Sequence, residues 1–404
     1  MGDKKFLACL GLCFFLLTVY LIPVSGVSAA EKKEILVGIH LSLTGPLAMP
    51  AAESKWATEQ AVADINTKGG VFVKELNKKL PIKLIIADDK GSADQGAAAM
   101  ERLIKLDKID LALSDGIASI GIAVGTVCEK YKVYLQTTCM WLDFIEKENF
   151  KWVSSFFTST SAASETPFKI WKALPKDQEP KRPALMMEDN QDGQAFGMGF
   201  KTHAEKYGYK FVVDEPFTPG AKDFSSQILK WNAAKVDALL VLMSPTDGIV
   251  LLRQMKEQNL RVPYLHGWKG FWAREFEQGL GKDANYVIHD GFWSDKYGAP
   301  GSKELQERFL KQFKRDSTSI GIFYANPQIL AMAIEKAGSI KSEKVRDAVF
   351  GGEFKGTMMG DVKYNEKGLA FMEFLALQWW DGDRKPVYPP NPGWKYKPAP
   401  NTWK

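Results

Sequence analysis

The chain has few cysteines and few histidines, four of each in 404 residues. Cys9 and Cys13 fall in the first thirty residues, so only Cys128 and Cys139 follow them. No cysteine cluster supports a metal site. The sequence also has no Gly-x-Ser-x-Gly elbow, no His-Glu-x-x-His pair and no glycine-rich phosphate loop, which argues against a serine hydrolase, a zinc protease or a nucleotide enzyme. Of the four histidines, His40 and His289 sit in strand-like runs and His203 on a helix face; only His266 lies near a presumed cleft. Basic residues form no run, and the net charge of +5 is spread with both signs interspersed, so no nucleic-acid footprint is present. Beyond residue 30 no stretch is long and apolar enough to cross a bilayer.

The segment before residue 30 is of another kind. Lys4-Lys5, the apolar stretch Phe6 to Val24 and the small residues Val27-Ser28-Ala29-Ala30 read as a signal peptide, residues 1–30, that exports the protein. A retained membrane anchor is the competing reading of the same stretch. Export permits a disulfide between Cys128 and Cys139; two small buried thiols packed as hydrophobes is the simpler alternative.

The remainder alternates apolar strand-like runs with amphipathic helical runs. Ile35–His40 leads into the turn Ser42-Leu43-Thr44-Gly45-Pro46 and a helix ending at Asn66. Further strands are expected at 82–87, 111–113, 133–136, 182–187, 210–215, 238–243, 264–266 and 286–289. This βα alternation specifies mostly parallel sheets covered on both faces, and the length calls for two lobes. After Asp381 the Pro- and Trp-rich tail is expected to be extended. Asp88, Asp89, Glu188 and Asp189 follow strands. They could form an acid/base pair in an exported hydrolase, although helix capping is the commoner role there.

Ser42-Leu43-Thr44-Gly45-Pro46, Ile65-Asn66 with Gly69-Gly70, Asp88-Asp89, Ser114-Asp115-Gly116 with Ser119, and Asp223-Phe224-Ser225-Ser226 occur in that order. In this arrangement the chain resembles the type I periplasmic solute-binding proteins of ABC importers, in the branched-chain amino-acid (Leu/Ile/Val) branch. The resemblance implies two Rossmann-like lobes joined by three crossing strands and closing over a ligand. Lobe one would be 34–155 plus 294–353, and lobe two 156–293 plus 354–404. It implies a ligand and an inner-membrane ABC permease as partners, with no cofactor, no metal, no catalytic residue and no nucleic acid. A monomer is expected. A ligand-sensing protein for a membrane signalling receptor would share the fold.

On the family pattern, Ser119 and the pair Thr137-Thr138 would hold a ligand carboxylate, aided by helix N-termini. The family commonly supplies a Tyr before Gly in the second lobe, and Asp192 stands there. It also supplies an acid that meets the ligand ammonium, but His266-Gly267-Trp268-Lys269-Gly270 contains none. An unpaired buried ammonium costs several kcal/mol, so an amino-acid ligand would require Asp192 or Asp247 to replace that acid. Trp141, Phe157 and Trp268 could stack on an apolar or aromatic ligand, Lys269 could pair with a carboxylate, and Tyr324 is a further cleft candidate. The expected ligand is therefore a small carboxylate, either an aromatic or apolar acid or a branched-chain amino acid.

Overall fold

The computed structural model describes residues 32–45, 48–115, 118–390 and 393–403. The expected signal segment lies outside them, as do Pro46, Gly116 and Ile117. Glu34–Lys404 forms one compact unit.

In chain order, lobe one begins with β1 (Ile35–Leu41), α1 (Ala48–Thr67), the hairpin β2 (Val71–Val73) and β3 (Lys78–Leu80), and β4 (Ile82–Asp88). It continues with α2 (Ala93–Lys105), β5 (Leu111–Ser114), α3 (Ala118–Tyr131), β6 (Leu135–Thr138), α4 (Leu142–Glu148) and β7 (Val153–Phe157). The turn from α1 into the hairpin requires Gly70. Its φ is +83°, and a Cβ there would meet the Leu80 carbonyl oxygen at 2.3 Å.

The chain then crosses to lobe two, with α5 (Thr160–Ala173), β8 (Pro183–Met187), α6 (Gln191–Tyr207), β9 (Val213–Asp214) and α7 (Ser225–Ala233). After these come β10 (Ala238–Met243), α8 (Pro245–Glu257), β11 (Tyr264–Lys269), α9 (Arg274–Leu280) and β12 (Ile288–Gly291). It returns to lobe one through α10 (Ser302–Phe313), α11 (Ile320–Ala337), α12 (Ser342–Val349), the hairpin β13 (Glu353–Thr357) and β14 (Gly360–Lys363), and β15 (Leu369–Phe371). A last crossing leads to β16 (Leu375–Trp380) and β17 (Asp383–Tyr388).

The first sheet has the order β15-β7-β6-β5-β1-β4 and its neighbouring strands all run parallel. The second has the order β17-β16-β12-β11-β10-β8-β9, parallel except for the pairs β12–β16 and β16–β17. The central strands read as unbroken apolar runs because helices cover both faces; β10, ALLVLM, is buried at every position. Each lobe has its own apolar core. Val37, Ile39, Phe156 and Leu330 belong to the first, and Leu239, Val241, Phe271 and Trp379 to the second.

The tail after Asp381 is extended as expected, and Asp383–Tyr388 of it pairs antiparallel with β16 as β17. Its Pro386 is tolerated because β17 is an edge strand, where a missing N–H costs no ladder bond. The strand expected at 210–215 shrinks to Val213–Asp214. Finally, 354–371 does not belong to lobe two. Phe354, Val362 and Tyr364 pack in the lobe-one core, and β15 extends the lobe-one sheet. Cys128 and Cys139 are free thiols, the first fully buried. Among the described residues no helix is long and apolar enough to cross a membrane.

Candidate functional site

The parallel strands of both lobes end where the lobes meet. Trp141 follows β6 in lobe one, and Phe196 lies on α6, just after β8, in lobe two. Their rings stand 5.4 Å apart in a T-shaped contact. Trp141 also leans on Phe157 at 5.2 Å, and Phe157 on Phe292 at 5.3 Å, so rings from two crossing segments line the junction. Trp141 is only partly buried and packs against the cores of both lobes. A cleft at the carboxyl ends of open α/β sheets is the standard ligand position for such folds.

Below the lobe-one rim lies a polar network that the sequence did not reveal. Asp89 binds His40 Nδ1 at 2.7 Å and accepts from Ser42 Oγ at 2.5 Å, while His40 Nε2 meets Ser114 Oγ at 2.7 Å. Burial pushes the Asp89 carboxyl up, but the bonds from His40, Ser42 and the Gly91 amide outweigh it and hold it below the usual range. Next to it, Asp115 accepts from Ser54 Oγ at 2.7 Å, Thr58 Oγ1 at 3.2 Å and Asn326 Nδ2 at 2.6 Å. There burial prevails and the carboxyl is raised. Ser114, His40 and Asp89 share the connectivity of a nucleophile triad, yet all three are buried with no face toward solvent. Their role is to fix the strand ends. The signal available in the sequence was His40 and Asp89 at the ends of what become adjacent parallel strands.

The expected site residues fall into distinct groups. Ser119 is exposed, in the first turn of α3, with its hydroxyl at a helix N-terminus. Thr137 and Thr138 are fully buried, and their hydroxyls donate across the sheet to Ser154 O (3.1 Å) and Phe156 O (2.9 Å). Those protons are engaged by β7, leaving less for an anion. Trp141 and Phe157 do come together at the lobe junction. Trp268 is buried below it, stacked on His266 at 3.7 Å and edge-on to Phe200 at 4.8 Å.

In lobe two, Asp192 is exposed in the first turn of α6. Asp247 is buried and its carboxylate is saturated: it accepts from Ser244 Oγ at 2.8 Å and from the Gly220 amide at 3.1 Å. Lys269, at φ +74°, donates to the buried Glu188 at 2.5 Å, and its side chain is 40% exposed. The Tyr324 hydroxyl donates to Asp64 at 2.8 Å, which Arg308 also holds. Asp64 lies near the far end of α1, about 24 Å along the helix from its first residue at ~1.5 Å per residue.

A periplasmic binding protein family model matches residues 34–384. The chain belongs to the periplasmic binding protein family. Its two-lobe α/β fold is that of the type I periplasmic binding proteins. Among curated relatives, the Leu/Ile/Val-binding protein BraC3 of Rhizobium johnstonii is 26% identical over 370 residues, covering 91% of this chain and 97% of that protein. Leu/Ile/Val-binding protein homolog 3 of Brucella melitensis is 25% identical, covering 88% and 94%. Among solved structures, the branched-chain amino acid substrate-binding protein LivJ of Streptococcus pneumoniae, in complex with isoleucine, superposes with a TM-score of 0.74 at 18% identity, covering 88% of this chain and 99% of LivJ. An ABC transporter substrate-binding protein from Desulfitobacterium hafniense, in complex with Leu, gives 0.71 at 19% identity, covering 88% and 100%. This periplasmic binding protein is therefore not an enzyme, and its buried triad-like chain carries no reaction.

Proposed function

We propose that this periplasmic binding protein is the extracytoplasmic solute receptor of an ABC importer. It captures a small carboxylate, either a branched-chain amino acid or an apolar or aromatic acid, and delivers it to an inner-membrane permease as a monomer. The observation that carries this reading is the ring junction of Trp141, Phe157 and Phe196 between the carboxyl ends of the two sheets. The relatives named for Leu, Ile and Val binding support it, as does the LivJ complex with isoleucine.

Ser119 and the N-terminal amides of α3 hold the carboxylate: a hydroxyl and a helix terminus bind an anion without a full positive charge. Contacts from lobe two form only when the lobes approach, so ligand shifts the population toward the closed form. Asp192, in the first turn of α6, and Lys269, at the end of β11, supply these second contacts. No bond changes and no cofactor takes part. The signal peptide delivers the chain to the periplasm.

Thermal unfolding of the purified protein tests the reading against leucine, isoleucine, valine, phenylalanine, phenylacetate and 4-hydroxybenzoate. A true ligand at about 100 times its Kd adds about 2.7 kcal/mol of stability. If none of the panel raises the unfolding temperature, the small-carboxylate reading fails. Ser119→Ala weakens the ligand by about 1 kcal/mol; unchanged affinity removes Ser119 from the site.

A further inference from the structure

We infer that the base of lobe two, where lysines line a cavity at the end opposite the cleft, is a docking surface for an anionic lipid membrane. The cavity encloses about 920 Å³ and takes its walls from the end of α5, the loop before β8 and the loop between α6 and β9. Four lysines line it, Lys172, Lys176, Lys181 and Lys210, against one acid, Glu179. β8 begins beside it at Pro183 and β9 at Val213, so it faces the amino ends of strands whose carboxyl ends look toward the cleft. This surface acts independently of the solute that the cleft holds.

Glu179 does not cancel this charge. Lys172 Nζ donates to it at 2.7 Å, Lys176 Nζ at 2.9 Å and the Tyr209 hydroxyl at 2.6 Å, so one carboxylate answers two ammonium groups. The ammonium groups of Lys181 and Lys210 have no carboxylate partner among the described residues. Asp237 accepts from the Lys181 and Arg182 amides at 2.8 Å each, and so fixes the loop rather than an ammonium. Asp177, on the same loop, does not line the cavity. Lys172 lies in the last turn of α5, where it also complements the negative end of that helix. Lys181 and Lys210 stand outside any helix, so that role does not account for them.

The floor is anchored, and the cations reach outward from it. Tyr209 is bedded on Trp171 at 5.0 Å and on Phe168 at 5.8 Å, and Pro180 is buried. The Lys176 side chain is 87% exposed, Lys181 and Lys210 are exposed, and the apolar Val212 is 37% exposed beside them. A single small anion is held by donors that converge on one point. Long ammonium arms spread around a cavity of this size suit many phosphates arrayed on a surface, where each lysine strengthens binding about fivefold. Phe211 and Val212 add apolar contact at the level of the headgroups. A chain seated this way keeps its cleft, at the far end, open to solute.

Vesicle co-sedimentation tests the surface on the chain from Glu31 onward, which keeps the compact unit Glu34–Lys404 and lacks the apolar N-terminal stretch that would bind lipid by itself. Vesicles of equal parts phosphatidylglycerol and phosphatidylcholine should bind it at low salt and release it at about 0.5 M salt, where surface charges are screened. Pure phosphatidylcholine should not bind it. Lys181→Gln combined with Lys210→Gln should lower partitioning roughly tenfold or more, with the unfolding temperature unchanged because neither ammonium holds a carboxylate. Lys303→Gln combined with Lys311→Gln removes the same charge from exposed positions of α10 in lobe one and should leave partitioning close to wild type. Equal losses in the two double variants assign the binding to net charge and overturn the docking surface, as does absence of binding by the wild type. Calorimetry with inorganic pyrophosphate separates the other source of such anions: heat of binding without vesicle partitioning assigns the cavity to a free anion and overturns membrane docking.

Discussion

Asp290 leaves a signature in stability. Its carboxyl titrates near 7 in the folded chain against an ordinary 3.8. Between those values the native state holds a proton that the unfolded state has released, so stability falls as pH rises from about 4 to about 7. Asp290→Asn removes this slope, and unfolding temperatures at pH 5 and pH 8 should lie closer together in the variant than in the wild type. The opposite slope belongs to His289 and His266. Burial depresses both, His289 to about 3 with Arg384 adding to the effect, and His266 well below its usual value with His289 adding. They remain neutral when folded and take up protons when unfolded, so their contribution is present above about 6.5 and lost as pH falls toward 3. Substituting His289→Asn should make the acid limb shallower; an unaltered limb would dissociate that histidine from acid lability. These residues were visible in the sequence, but their burial was not. A histidine on a strand reads the same whether water or a tryptophan lies beside it.

At the scale of elements, the helix starts on the cleft side of lobe two are fastened by side chains. Ser244 caps α8: it accepts from the Asp247 amide at 3.2 Å and donates to the Asp247 carboxylate, which also anchors the Gly220 loop. This reciprocal arrangement has the logic of a capping box. Asp247→Ala should cost about 1 kcal/mol of stability, read as a lower denaturant midpoint, without altering solute affinity. At α6, Asn190 Oδ1 accepts from the Gly193 amide at 3.0 Å, and a Cβ on Gly193 would sit 1.8 Å from the Glu188 carbonyl. Gly193→Ala therefore forces the α6 start away from β8. Loss of both folding stability and solute affinity is expected, and a neutral variant would contradict that contact. The alternating pattern located these helices well. β13–β15 were misassigned to lobe two because periodicity identifies a strand but not the sheet it joins.

At the scale of the whole molecule, an ion cluster ties the lobes together behind the cleft. Asp316, between α10 and α11, is held by Arg274 and lies 2.7 Å from Arg384 on β17. Burial pushes the Asp316 carboxyl up, but Arg384 and Arg274 outweigh it and keep it below the usual range. Arg384 is 3% exposed, so removing its partner leaves a buried charge without compensation. Asp316→Ala should cost roughly 3–5 kcal/mol, and a loss under 1 kcal/mol in chemical denaturation would mean that water replaces the carboxylate. Trp141→Ala acts on closure instead. Losing the ring contact with Phe196 weakens the approach of the lobes by about 0.5–1.5 kcal/mol, so small-angle scattering with saturating solute should show a larger radius than wild type.

The two-lobe α/β architecture was determined by the sequence itself, because strand and helix periods, turn residues and the ordered motifs from Ser42 to Ser226 are local and additive. So was the placing of Trp141 and Phe157 at strand ends. The tertiary structure alone decided which polar groups have partners. Thr137, Thr138 and Asp247 found theirs across sheets and loops, Tyr324 found one on a neighbouring helix, and Asp290 found none for its buried oxygen. The physical reason is that a hydrogen bond between residues far apart in the chain depends on the packing of whole elements, which no local pattern encodes.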